Sequence, residues 1–360
     1  MKPQFAACAL ALGCTTTAAF AGGIDRSGMP MGWLFEEGRY AELSYGHVNP
    51  TVGGATLVPL GPLPAGSPSG DLSKSYGMTG LAFKMDVNDR LSFGLQYDES
   101  FGADIAYPTV PYPLAATTAT IDSDSIMLAA RYKFNNGLSI HGGLRSVGVG
   151  GNVTIVNGGA VAYSAAFASD RDTGFMLGAA FEKPEIALRV ALTYFSQTDH
   201  NMPTTLTVPF PLAAVTPVSL PQSVNLDVQT GIAKDTLLFG QIRWADWTAV
   251  NLVGPGPQPL LNYANDSFTY TLGLGRKFNE NWSGAISIGY EKSQGGIQSN
   301  FEPTDGRISL GLGATYTRDN MKITGGVRYV KLGDATALAG AARFTDNSAL
   351  AFGLKVGFTF

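Results

Sequence analysis

The sequence predicts an all-β fold: a fourteen-stranded antiparallel transmembrane barrel over residues 38–360, with a short N-terminal plug. Three observations predict it. Fourteen stretches alternate apolar with small or polar residues, and every second connection is a tight turn, such as Asn135-Asn136-Gly137 or Arg318-Asp319-Asn320. The remaining connections are long, as over 51–71 and 201–220. An even number of strands with short turns at one end and long loops at the other is the pattern of a bacterial outer-membrane barrel.

Residues 1–21 read as a secretory signal, with Lys2 as the basic start, an apolar run over 5–12, and Ala19-Phe20-Ala21 as the cleavage site. The mature chain is expected to begin at Gly22, which removes Cys8 and Cys14 and with them disulfide and thiol chemistry. A lipoprotein acylated at Cys14 is the competing reading, and Ala11-Leu12-Gly13 fits it poorly. Residues 22–37 form the short segment before the first strand, and Gly22 to Gly28 are expected to tuck into the lumen as a reduced plug.

Composition agrees. Loss of Lys2 takes the formal charge from −4 to −5, which argues against a nucleic-acid partner. Charged residues are 14% of the chain, against ~25% in soluble globular proteins. No stretch after the signal holds the ~18 uninterrupted apolar residues of a membrane helix. Inside lipid every backbone N–H and C=O must be paired within the protein, so a spanning chain without such helices closes into a barrel.

Side-chain parity assigns the faces, because successive residues of a strand point to opposite sides. In strand 12, Ile308, Leu310, Leu312, Ala314 and Tyr316 share one face, and Arg307, Ser309, Gly311, Gly313 and Thr315 the other. Strands 4 and 7 repeat the pattern around Leu128 and Leu192. The apolar face is assigned to lipid and the small, polar face to the lumen. Tyr132, Phe134, Phe278, Trp282 and Phe358 fall beside the short turns. Tyr97, Tyr194, Trp244, Tyr290 and Tyr329 lie near the other ends, as two interfacial aromatic rings require. The last strand alternates Leu350, Phe352, Leu354, Val356 and Phe358 and stops on Phe360. It resembles the terminal strand that the outer-membrane barrel assembly machinery reads, which makes that machinery an expected partner.

The short turns are expected in the periplasm, with both termini, and the long connections outside the cell. Those connections are apolar and proline-rich: Leu57 to Pro64, Tyr107 to Leu114, and Val208 to Leu212. Large exposed apolar surface marks binding sites. Candidate substrate contacts are therefore Phe101, Tyr107, Tyr112, Leu114, Phe210 and Leu212. The competing reading is loops that pack on one another. Proline is expected to keep these segments out of further strands.

Inward parity also gathers Arg145, Arg189, Arg243, Arg328 and Lys355 with Glu42, Asp98 and Asp227. An arginine fork binds carboxylate well, so Arg145, Arg243 and Arg328 are candidates for a fatty-acid headgroup, against the plainer role of bracing ion pairs. The three histidines, His47, His141 and His200, are scattered, so no metal, no cofactor and no catalytic triad are expected. In strand 3 the alternation fails at Asp98-Glu99-Ser100-Phe101-Gly102-Ala103-Asp104. Acids facing lipid are unfavourable, so this stretch is expected to bend inward at Gly102 and leave a gap for lateral exit.

Fourteen strands, the first-strand segment Gly38-Arg39-Tyr40-Ala41-Glu42-Leu43-Ser44, and Leu220-Pro221-Gln222-Ser223 with Arg243-Trp244-Ala245-Asp246-Trp247-Thr248 resemble the FadL/TodX family of outer-membrane hydrophobic-compound transporters. The resemblance spans the mature chain. It implies passive import of long-chain fatty acids or aromatic hydrocarbons, capture by extracellular loops, an N-terminal plug, and lateral exit at a kinked third strand. The chain departs from it at Asn49-Pro50, the sole Asn-Pro, which follows the first strand instead of preceding it. A monomer in the outer membrane, in contact with its lipid, is expected. A general diffusion porin or structural surface barrel is the alternative, motivated by the polar inner face.

Overall fold

A computed structural model describes residues 23–256 and 260–360. The signal segment, both cysteines, Gly22 and Pro257-Gln258-Pro259 lie outside them. Fourteen wall strands follow in chain order. They are β1 (Tyr40–Thr51), β2 (Tyr76–Asp86), β3 (Leu91–Asp98), β4 (Thr118–Lys133), β5 (Leu138–Asn157), β6 (Ala160–Lys183) and β7 (Leu188–Phe195). The second half is β8 (Ser223–Ala233), β9 (Thr236–Ala245), β10 (Ser267–Lys277), β11 (Trp282–Glu291), β12 (Arg307–Arg318), β13 (Met321–Leu332) and β14 (Ser348–Thr359). Each pairs antiparallel with its neighbours. β1 pairs with both β2 and β14, so the sheet closes on itself.

The parity assignment holds. In β12, Ile308, Leu310 and Leu312 are 61%, 47% and 52% exposed, while Arg307, Ser309 and Thr315 are buried. In β4, Leu128 is 56% exposed and Arg131 is 1% exposed. A belt of exposed Leu, Ile, Val and Phe around a closed sheet is stable in lipid and unfavourable in water. At the final residue, the Phe360 N–H donates to the Arg39 carbonyl at 2.9 Å, and its ring lies 6.3 Å from that of Phe83.

Two of the long connections are strands, contrary to expectation. β5 and β6 run 20 and 24 residues, against the ~9–11 that cross a bilayer. They meet in a two-residue turn at Gly158 and Gly159, whose φ values of 61° and 86° suit glycine. β7 continues as Thr198–Val208, which turns back as Leu212–Leu220 and also pairs with β6 through Thr204↔Phe167. The reason is the alternation of Val153, Ala165, Phe167, Met202, Leu206 and Val218, all buried on one face. Proline does not exclude these strands. Pro217 sits on the outer edge strand, where its missing N–H is harmless.

Residues 23–37 lie inside the cylinder, held from several sides. The Asn225 side chain of β8 donates to the Gly28 carbonyl at 2.9 Å, and Arg243 of β9 binds Asp25 at 2.6 Å. Lys84 of β2 donates to the Glu36 carbonyl at 2.6 Å. Phe35 places its ring 4.3 Å from the Arg131 guanidinium of β4 and 4.8 Å from that of Arg189 of β7. Trp33 lies so close to β3 that a Cβ on Gly94 would come within 2.3 Å of its ring. Gly94→Leu is therefore expected to displace Trp33 into a wetter setting, with a strain cost of about 1–3 kcal/mol. A red shift of tryptophan emission checks this, and unchanged emission would contradict it.

Candidate functional site

Two cavities flank the N-terminal segment. The inner one, of ≈ 190 Å³, opens among Glu42, Asp98, Asp227, Arg328 and Lys355, with Trp33 and Phe35 on its segment side. Its charges are braced in pairs: Lys355 lies 3.5 Å from Glu42, and Gln241 donates to Asp227 at 2.9 Å. The outer cavity, of ≈ 210 Å³, lies toward the long loops. Val52, Leu72, Ile105, Trp247 and Phe301 give it apolar walls, and Asp25 and Arg26 of the segment are its floor.

The floor is tied to the wall at the break in β3. Asp98 pairs with Ser125 of β4, and Gly102 pairs with Asp122, so residues 99–101 oppose 123–124. This is a bulge with one extra residue, which bends the strand. The segment bonds to its inner side: Arg26 N–H donates to the Ser100 carbonyl and Gly102 N–H to the Ile24 carbonyl, both at 2.8 Å. Beyond the bulge β3 resumes as Gly102–Ala106, paired with β4 and joined on its other side to the stretch before β2 through Ser73↔Ile105, with the Ala106 N–H donating to the Leu72 carbonyl at 2.7 Å. β2 pairs with β3 only from Leu81 onward. Residues 76–80 therefore carry no strand ladder on that side, between the pairing at Ser73↔Ile105 and that at Leu81↔Tyr97.

All three acids of the break have partners. Asp98 accepts from Ser27 and Ser100, Asp104 binds Arg26 at 2.6 Å, and Glu99 accepts the Thr79 N–H at 3.0 Å. Glu99 thus satisfies one donor of the unpaired β2 edge, which would otherwise be costly in an apolar setting. Gly102 is required by contact, since a Cβ there would fall 2.3 Å from the Arg26 guanidinium carbon.

The sequence-predicted residues separate into groups. Phe101 is buried on the inner side of the bulge, its ring edge-on to Trp247 at 6.1 Å. Tyr107, Tyr112 and Leu114 pack in a second buried cluster with Val48, Leu72 and Phe344. The two tyrosine rings stack at 5.6 Å, and the Tyr107 hydroxyl donates to the Asn300 carbonyl at 2.6 Å. Burial pushes both phenols up, Tyr112 to about 12. Phe210 and Leu212 stand apart, exposed at the tip of the projecting hairpin. Of the arginines, Arg243 is bound to Asp25, Ser223 and Asn225, and Arg145 donates to the Met29 sulfur and the Ser196 carbonyl. Arg328 lines the inner cavity. The three do not converge on one headgroup site.

Sequence reasoning missed the outer cavity's own residues. Tyr263 packs tilted against Trp247, ring centroids 5.1 Å apart, and donates to Glu302 at 2.6 Å. Burial pushes the Glu302 carboxyl up to about 7, opposed by that hydrogen bond, and drives the Tyr263 phenol far above its ordinary value. Trp247 enters the sequence reading only through the Arg243-to-Thr248 resemblance. Nothing in the local sequence marks Glu302. Among the described residues no cluster of His, Cys, Asp and Glu has metal-binding geometry.

The chain has the fold of known hydrophobic-compound transporters. A crystal structure of a Pseudomonas aeruginosa FadL homologue covers 96% of this chain and 98% of its own, with a TM-score of 0.75 and 15% identity. The Pseudomonas putida toluene transporter TodX covers 96% and 98%, with a TM-score of 0.67 and 13% identity. The Ralstonia pickettii toluene transporter TbuX covers 91% and 90%, with a TM-score of 0.64 and 14% identity. No protein-family model and no curated protein matches the sequence.

Proposed function

We propose that this protein is a passive outer-membrane transporter of hydrophobic molecules, and that it releases them sideways through its wall. The observation that carries the reading is the open ladder at residues 76–80 beside the inward bulge of β3, in a barrel whose interior is crossed by its own N-terminal segment. A filled lumen obstructs hydrophilic diffusion. A side opening at membrane level suits a molecule that prefers lipid to water. In this reading the long-loop end faces the outside and both termini face the periplasm. Residues 23–37 act as a plug, and the exposed Phe210 and Leu212 make first contact with substrate. The molecule then enters the outer cavity, passes Phe101 and leaves beside Gly102. The terminal strand directs assembly, and the monomer is the working unit.

The size of the outer cavity favours compact substrates. Its ≈ 210 Å³ exceeds the ~150 Å³ in which an engineered apolar cavity holds benzene. A single substituted ring, as in the toluene carried by the structural neighbours, fits it better than a long acyl chain. Planar-bilayer conductance tests the closed lumen. The purified protein is expected to be nearly silent, and a large, steady ohmic current would assign it to the diffusion porins.

A further inference from the structure

The outer cavity is not lined as a site for a plain hydrocarbon. Six carboxylates, Asp25, Asp104, Asp266, Glu291, Glu302 and Asp305, face three cations, Arg26, Lys74 and Arg307. The two arginines are engaged, Arg26 with Asp104 at 2.6 Å and Arg307 with Glu291 at 2.9 Å, while Lys74 is exposed at the rim. A carboxylate ligand would meet an excess of negative charge and no open guanidinium fork, so it is disfavoured.

Two polar groups in the cavity wall ask for a ligand. Arg26 is 6% exposed, yet its buried Nε has no acceptor among the described residues. A buried donor left unmet carries its full desolvation cost. Glu302 is the second group. An ionised carboxylate has roughly four acceptor positions, and the donors it meets here are the Tyr263 hydroxyl at 2.6 Å and the Gly23 N–H, which leaves lone pairs free. The tyrosine contact already shows this carboxylate accepting a phenol. A hydrocarbon satisfies neither group. A hydroxyl serves Glu302, because its proton goes to a free lone pair of that carboxylate. Trp247, Tyr263 and Phe301 provide aromatic surface for the ring that bears it.

We propose that the outer cavity selects hydroxylated aromatics of the alkylphenol class over plain hydrocarbons and over aromatic carboxylates, with Glu302 as the acceptor that sets the choice. This rests on the transporter reading above and narrows its substrate class. The distinction is strong in principle, since a site built to hydrogen-bond a hydroxyl penalises analogues that lack it.

The test is equilibrium dialysis of the full-length protein in detergent against matched empty micelles, with para-ethylphenol, ethylbenzene and para-ethylbenzoate. The solution is held alkaline enough to ionise the Glu302 carboxyl, which burial pushes up to about 7. The phenol is expected to bind on the order of tenfold more tightly than ethylbenzene, with the benzoate weakest. Glu302→Gln and Glu302→Leu are each expected to remove most of that preference, read as the ratio of phenol to ethylbenzene affinity in the same variant. Heat-modifiable migration in gels reports that each variant is folded. Equal saturable binding of phenol and ethylbenzene, or a preference that survives Glu302→Leu, would overturn the selectivity while leaving hydrophobe transport intact. Saturable binding of the benzoate alone would also overturn it. Failure of all three to bind would instead count against the transporter reading on which the selectivity rests.

Discussion

Asp25→Ala is expected to open the barrel. Asp25 is 1% exposed and Arg243 is 2% exposed, and the pair meets at 2.6 Å in the middle of the segment–wall contact. Removing one partner of such a pair costs about 3–5 kcal/mol, because the other charge is left buried and alone. The wall ladder does not depend on Asp25, so the cost falls on docking of residues 23–37. A shift of that size changes the docked-to-released ratio by a factor on the order of 10²–10³. Single-channel recordings should show a silent parent and a conducting variant of unchanged heat-modifiability. The double variant Asp25→Ala with Arg243→Leu should recover much of the closed state, since an apolar replacement of both partners removes the stranded charge. A silent Asp25→Ala channel would mean that Lys84, Asn225 and the bonds at Ser100 and Gly102 hold the segment without this pair.

Leu312→Arg is the second large effect, and it falls on the wall. Leu312 is 52% exposed, near the middle of β12, between Ile286 and Val327 of its neighbours. A cation at that depth on a lipid-facing strand costs about 2–4 kcal/mol. The urea midpoint for unfolding from lipid vesicles should fall accordingly. The adjacent lumen-facing position gives the contrast. A Cβ on Gly313 meets only the Gly325 carbonyl oxygen, at 3.6 Å, so Gly313→Ala should leave the midpoint nearly unchanged. Equal losses at both positions would contradict the assignment of faces.

The wall was legible because a barrel strand states its faces in every second residue. Leu310 against Ser309 and Leu128 against Arg131 need no tertiary information to sort. The break at 98–104 was legible for the same reason, since three acids on a lipid-bound path must leave it. The projecting hairpins were not. Their glycines and prolines read as loop signals, while the pairing that makes them strands joins residues as distant as Phe167 and Thr204. The arginines illustrate a different limit. Parity placed Arg145 and Arg243 inside, but their partners, Met29 and Asp25, belong to a segment whose path the alternation does not encode. Glu302 was invisible because its role comes from a contact with Tyr263 across two loops.

Uptake by intact cells tests the transport claim most directly, because the lipopolysaccharide leaflet excludes hydrophobes that would cross a simple bilayer unaided. Cells lacking other hydrophobe channels, with and without this protein, would be given a labelled alkylbenzene or alkylphenol. Engineered cysteines at Glu99 and Thr79, where the Glu99 carboxylate already accepts the Thr79 N–H at 3.0 Å, would allow the wall opening to be closed by a cross-link. The account predicts that the protein accelerates uptake, that the cross-link abolishes the gain, and that reduction restores it. Uptake no faster than in cells without the protein would contradict the transporter reading, and a gain untouched by the cross-link would contradict release through the wall.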